Sequence, residues 1–60
     1  MRDPERIEPM LDLIREVWKT SPDMRLGQLL SIATRYAPGY ADVFYVEDDR
    51  LAEGLEILKR

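Results

Sequence analysis

The sequence predicts an all-α fold, a small three-helix bundle with a short extended or loop segment before the last helix. Three segments of the 60-residue chain carry apolar residues at helical spacing, and Pro-containing breaks at 20–23 and 37–40 separate them. Three amphipathic helices with short connections can bury their apolar faces only against one another. We therefore expect one small helical domain over 1–60. Its helices are predicted at about 4–20, 24–37 and 48–59.

The first helix is predicted from apolar residues that recur on one face, Ile7, Met10, Leu11, Ile14, Val17 and Trp18, with Leu13 beside them. Asp3 followed by Pro4 is typical of a helix N-cap and first helical position. Pro9 lacks an amide donor, so either the first turn is irregular or the regular helix begins near Pro9. The phase of Ile7 favours an irregular first turn. Pro22 predicts an end near residue 20.

The second helix is predicted from the same spacing in Leu26, Leu29, Leu30, Ala33, Tyr36 and Ala37. Asp23 is the expected N-cap, and Pro38 with Gly39 ends the helix. Gly27 and Ser31 lie one turn apart beside the apolar face. They leave a flat strip that another backbone could approach closely.

The third segment opens with residues 42–46, too short and too aromatic for a helix of its own. It is either an extended strand or a loop that inserts Phe44 into the core. The acidic residues that follow suit the positive end of a helix dipole and predict the start of the last helix. Within that helix Gly54 falls near the apolar face. We expect it to allow close packing, at a cost of about 1 kcal/mol in helix propensity.

The composition excludes several kinds of chemistry. The chain has no cysteine and no histidine, which removes disulfides, thiol catalysis, imidazole chemistry and the usual zinc ligands. The carboxylates fall at helix starts and on polar faces, no cleft is predicted, and no Gly-rich phosphate loop is present. We expect neither an enzyme, a cofactor nor a metal site.

The charge distribution disfavours binding to nucleic acid or to anionic membranes. The net charge is −3, and all of it comes from the part after Arg35, which holds six acidic and three basic residues. No stretch approaches the roughly 20 apolar residues of a membrane span, and the charged N-terminus does not read as a signal peptide. We expect cytoplasmic residence.

Two polar groups are candidate interaction residues. Arg25 and Gln28, near the start of the second helix, could hold a carboxylate or phosphate. Alternatively they are structural, with Arg25 pairing with Glu47 or Asp48 to tie down the segment before the last helix. Those two acids and Asp49 could dock on a basic partner. Alternatively they serve the helix dipole and solubility; their spacing with Asp42 is not that of an EF-hand.

The aromatic residues divide into a core group and a binding group. Trp18 falls on the apolar face of its helix and is expected in the core. Tyr40 and Tyr45 lie in the predicted connection, where exposed tyrosine is a frequent binding anchor, and Phe44 lies between them. The apolar residues Leu13, Ile32 and Ile57 fall beside the tightest apolar face of their helices. Such residues favour self-association, with a homodimer the expected form.

Several short motifs run almost the length of the chain: Arg6-Ile7, Trp18, Pro22-Asp23-x-Arg25-x-Gly27-Gln28-Leu29, then Phe44-Tyr45-x-Glu47-Asp48 and a closing Leu-rich helix. In these motifs the chain resembles a group of small helical bacterial and phage proteins with no assigned activity. The resemblance implies a cytoplasmic, stand-alone helical protein. It implies no particular function.

The sequence favours a protein-interaction or structural module that self-associates and has no chemistry of its own. Its expected contact surface is the segment from Phe44 to Asp49. A nucleic-acid-associated regulator is an alternative, although about nine residues separate the last two helices, against the 3–4 of a helix-turn-helix. A second alternative, suggested by the resemblance, is a phage-type inhibitor that docks its acidic segment on a basic host site.

Overall fold

Three α-helices form the bundle in the computed structural model, which describes residues 2–37, 39 and 42–59. A 3₁₀ turn at Pro4–Arg6 leads into α1 (Ile7–Thr20), which is followed by α2 (Leu26–Tyr36) and α3 (Asp48–Lys59). No β-strand occurs in the described part of the chain. The all-α, three-helix prediction is confirmed, and α3 has the predicted bounds.

The start of the first helix is irregular, as its two prolines predict. Asp3 caps the 3₁₀ turn, since its carboxylate accepts a hydrogen bond from the amide of Glu5 at 2.9 Å, and Pro4 is the first residue of the turn. The regular helix begins at Ile7, which makes Pro9 its third residue. Amides in the first turn of a helix have no acceptor in their own helix, so the missing donor of Pro9 costs little there.

The prediction that Asp23 caps the second helix is wrong, because α2 begins at Leu26 and the preceding residue is Arg25. Residues 21–24 form a turn in which the amide of Met24 donates to the Ser21 carbonyl at 3.1 Å. The Trp18 indole also donates to the Met24 carbonyl at 2.7 Å, so contacts with α1 hold Met24 in the turn.

The end of α2 lies one residue earlier than predicted. Ala37 is extended, with ψ at 141°, as expected for a residue that precedes a proline. Gly39 has a φ of +66°, a backbone conformation that glycine adopts without steric cost. The helix therefore ends just before Pro38-Gly39, as the sequence predicts, although Pro38 itself lies outside the described residues.

The core is small, and α3 lies at its centre. Its fully buried cluster is Val17 of α1, Leu29 and Ala33 of α2 and Leu55 of α3. Partly buried residues surround this cluster: Met10, Leu13, Ile14, Trp18, Met24, Leu51 and Leu58. The core position of Trp18 is therefore confirmed in part. Leu13 also packs on the core, so its interpretation as a surplus apolar residue is wrong.

Gly54 sets the distance between α2 and α3. A Cβ atom built on Gly54 would lie 1.9 Å from the carbonyl oxygen of Ala33 and 3.3 Å from the amide nitrogen of Ala37. Neither backbone atom can move without moving α2. The close packing predicted for Gly54 is confirmed, and any larger residue would force the two helices apart.

The first and third helices run in the same direction and are joined by ion pairs at both ends. Arg6, just before α1, pairs with Asp48 at the start of α3. Glu16 near the end of α1 pairs with Lys59 at the end of α3, with 2.9 Å between Oε2 and Nζ. The helix α3 packs against both other helices, whereas α1 and α2 diverge and leave a groove between them.

We expect Gly54→Ala to lower the free energy of unfolding by about 2 kcal/mol or more. Separating α2 from α3 outweighs the roughly 1 kcal/mol that alanine gains in helix propensity. Urea unfolding followed by circular dichroism measures the change.

Gly27→Ala is the matched control, because a Cβ at Gly27 meets no atom within 4 Å. This variant should be as stable as the wild type or more stable by up to about 1 kcal/mol. Equal stability of the two variants would contradict the close approach of α2 and α3.

Candidate interaction surface

Two aromatic side chains project from the segment before α3. Residues 42–46, hereafter the 42–46 loop, form a turn and not a strand. Phe44 is 82% exposed and Tyr45 is 73% exposed, and their rings meet edge to face with centroids 4.9 Å apart. The expectation that Phe44 inserts into the core is therefore wrong. The core is already closed by Leu29, Ala33 and Leu55, where α2 and α3 are in close contact.

Asp42 holds the loop in this shape. Its carboxylate accepts a hydrogen bond from the amide of Phe44 at 3.1 Å. Its carbonyl accepts from the amides of Tyr45 at 2.8 Å and Val46 at 3.1 Å. Three hydrogen bonds to one residue give the loop a defined turn that presents both aromatic rings outward. Tyr40, the other aromatic residue predicted here, lies outside the described residues.

The acidic residues that follow the loop contact the N-terminus of the chain. Glu47 pairs with Arg2 at 2.8 Å, and Asp48 pairs with Arg6. A second guanidinium nitrogen of Arg2 lies 3.8 Å from Asp48. All four side chains are at least 40% exposed, so each pair contributes little to stability, typically about 0–1 kcal/mol. Their effect is positional, because they join the start of α3 to the segment that precedes α1.

The predicted pairing of Arg25 with Glu47 or Asp48 is wrong. Within the described residues Glu47 contacts Arg2, and Asp48 contacts both Arg2 and Arg6, because α1 and α3 are parallel and their N-termini lie together. Arg25 is exposed at the start of α2. Sequence reasoning gave no role to Arg2 or Arg6. Arg2 and Arg6 can be predicted as the partners of these acids only when the directions of α1 and α3 are known.

Gln28 and Asp49 have local roles. The side-chain oxygen of Gln28 accepts a hydrogen bond from the amide of Arg25 at 3.1 Å and so caps α2. The carboxylate of Asp49 accepts from the amide of Arg50 at 2.9 Å, in the first turn of α3 where acidic residues suit the helix dipole. The strip around Gly27 and Ser31 is an open, shallow depression on the outer side of α2.

An apolar concavity lies between α1 and α2, and is hereafter called the α1–α2 groove. Its volume is about 530 Å³. Its lining residues are Leu11, Ile14, Arg15, Trp18, Lys19, Pro22, Leu26 and Leu30. Leu11 is 46% exposed and Leu26 is 39% exposed. The Trp18 N–H is already bound to the Met24 carbonyl, so the indole offers the groove its apolar surface.

The sequence assigned the apolar helical residues of this groove to the core, because they share the apolar faces of α1 and α2. The structure uses only part of each face. Val17 and Leu29 reach α3, whereas Leu11 and Leu26 remain half-exposed on the diverging side. The wide apolar face of α1 was the sequence feature that could have predicted this groove, because one neighbouring helix cannot cover so wide a face.

Within residues 2–37, 39 and 42–59, no group of three acidic side chains could hold a metal ion. No helix in the same part of the chain is long and apolar enough to cross a bilayer. The carboxylates nearest the 42–46 loop form ion pairs and helix-cap contacts. This arrangement offers surface contacts.

No known protein family, curated protein or solved structure matches the chain. The resemblance to the group of bacterial and phage proteins therefore stays a prediction.

We expect Phe44→Ser with Tyr45→Ser to leave the stability unchanged within about 0.5 kcal/mol, because both rings contact mainly each other and solvent. Thermal or urea unfolding measures this directly. A loss of about 2 kcal/mol or more would show that the rings belong to the core after all.

The Glu16–Lys59 pair gives a pH-dependent test of the α1–α3 contact. The hydrogen bond and charge of Glu16, helped by Glu56, raise the pKa of Lys59 above 10.5. A raised pKa means that the pair stabilises the fold at neutral pH, and that this contribution is lost as pH rises through the folded-state pKa of Lys59. Glu16→Gln should lower the pKa of Lys59, measured by NMR titration. An unchanged pKa would mean that the pair does not form in solution.

Proposed function

We propose that the chain is a protein-interaction module that contacts its partner through Phe44 and Tyr45. The observation that carries this proposal is the exposure of both rings on a turn held by Asp42. Exposed aromatic side chains are frequent anchors of protein interfaces, since each buries a large area on contact. A turn that already has its hydrogen bonds loses little conformational freedom on binding.

The remaining chemistry of the loop region supports a contact role over a catalytic one. The acids beside the rings are engaged by Arg2, by Arg6 and by the α3 backbone, which favours a positioning role for them. The ion pairs of Glu47 and Asp48 also weigh against the alternative in which these two acids dock on a basic host site. No observation favours the nucleic-acid alternative, because the exposed feature at this end is aromatic and its charged neighbours are acidic.

The test is capture of partners from a lysate of the source cells with three immobilised proteins: wild type, Phe44→Ser/Tyr45→Ser, and Tyr36→Ser. Tyr36 is 53% exposed at the end of α2 and lies outside both the 42–46 loop and the α1–α2 groove, so it is a matched aromatic control. A partner, or the chain itself, should be retained by wild type and control and lost with the loop variant.

Equal retention by all three proteins would overturn the proposal that this loop is the contact surface. If the immobilised proteins retain nucleic acid in a nuclease-sensitive way and no protein partner, the result would favour the nucleic-acid-associated regulator. Circular dichroism of each variant confirms that a lost contact is not a lost fold.

A further inference from the structure

The structure holds two unpartnered apolar features of complementary form. One is the pair of rings projecting from the 42–46 loop, and the other is the α1–α2 groove. They lie apart on the chain. The loop is followed by Glu47 and Asp48, which contact the segment before α1, whereas the groove runs from Leu11 to the turn at Pro22.

We infer that the α1–α2 groove receives Phe44 and Tyr45 of a second copy of this chain. In the resulting dimer each copy inserts its loop into the groove of the other. The inference rests on the proposed function, to which it adds the partner and the receiving surface. A reciprocal exchange of this kind has twofold symmetry, so it closes at two copies and leaves no loop or groove unpaired.

The groove fits the rings in size and in chemistry. Its volume of about 530 Å³ is in the range of pockets that bind apolar groups. Its floor and walls are leucine, isoleucine and the indole of Trp18, against which aromatic rings pack favourably. The indole N–H already donates to the Met24 carbonyl, so an apolar group that binds in the groove does not break this hydrogen bond.

The charges around the two features are complementary. Arg15 and Lys19 are the charged residues that line the groove, and both are basic. Asp12 takes up part of the charge of Arg15, at 2.8 Å. Asp42 and Asp49 lie close to the rings in the sequence, and both are exposed. Insertion brings these acids towards Lys19 and Arg15, whereas two grooves placed face to face would bring like charges together.

The test is sedimentation equilibrium of four purified proteins over a wide concentration range. They are the wild type, the loop variant Phe44→Ser/Tyr45→Ser, the groove variant Leu11→Gln/Leu26→Gln and the control Tyr36→Ser. Both groove positions are about half-exposed, so the changes should leave the fold intact, and circular dichroism checks this. Wild type and control should dimerise, and the loop and groove variants should each have a dimer Kd raised at least about tenfold.

Mixing the two defective variants gives the sharpest outcome. The groove variant retains an intact loop and the loop variant retains an intact groove, so together they can form one of the two contacts. Native mass spectrometry should detect a heterodimer at concentrations where neither variant dimerises alone. Added salt should weaken every dimer, since exposed charges steer the contact.

The outcomes separate this inference from the proposed function. A loop variant that fails to dimerise beside a groove variant that dimerises normally overturns the groove and leaves the loop as the contact. A loop variant that dimerises as well as the wild type overturns both. A wild type that stays monomeric up to about 1 mM, a Kd near the weak limit of specific association, overturns the second copy as partner, and partner capture then decides the function.

Discussion

The contact between Gly54 and the backbone of Ala33 determines where the three helices can lie. With no side chain on Gly54, α3 comes so close to α2 that the Ala33 carbonyl occupies the space of a Cβ atom. Leu29, Ala33 and Leu55 are then fully buried. Because α3 packs this tightly on α2 and also contacts α1, the two outer helices are held apart on the far side. The groove follows from that geometry.

Ion pairs on the surface determine the direction of α1 relative to α3. Arg6 with Asp48, and Glu16 with Lys59, join the two ends of α1 and α3, so the helices are parallel. Each pair is exposed and weak by itself. Together they disfavour a reversed α1, in which Arg6 would approach Lys59 and Glu16 would approach Asp48. Apolar packing thus sets the distances, and charge selects one orientation among those with similar burial.

Local patterns predicted the helices well because each helix carries its own signals. The spacing of the apolar residues, Asp3-Pro4 at the start and the acids before Leu51 all act within a few residues of where they stand. The prediction that Asp23 caps α2 was wrong because the start of α2 depends on a hydrogen bond from Trp18 to Met24, six residues later, which no local pattern reveals. The prediction that Phe44 inserts into the core was wrong for a related reason: a hydrophobic residue is buried only when the core has space for it. The partners of Glu47 and Asp48 depended on the direction of α1 relative to α3, which spacing along one chain does not contain.

Trp18 gives the chain an optical property that follows from its position. It is the only tryptophan in the sequence, and its ring forms part of the groove wall while its N–H is fixed to the Met24 carbonyl. Emission from the indole therefore reports on one place in the molecule. Any occupant that removes water from the groove shifts that emission to shorter wavelength, and a rearrangement elsewhere that leaves the groove open does not. The protein reports the occupancy of its own groove without an attached dye.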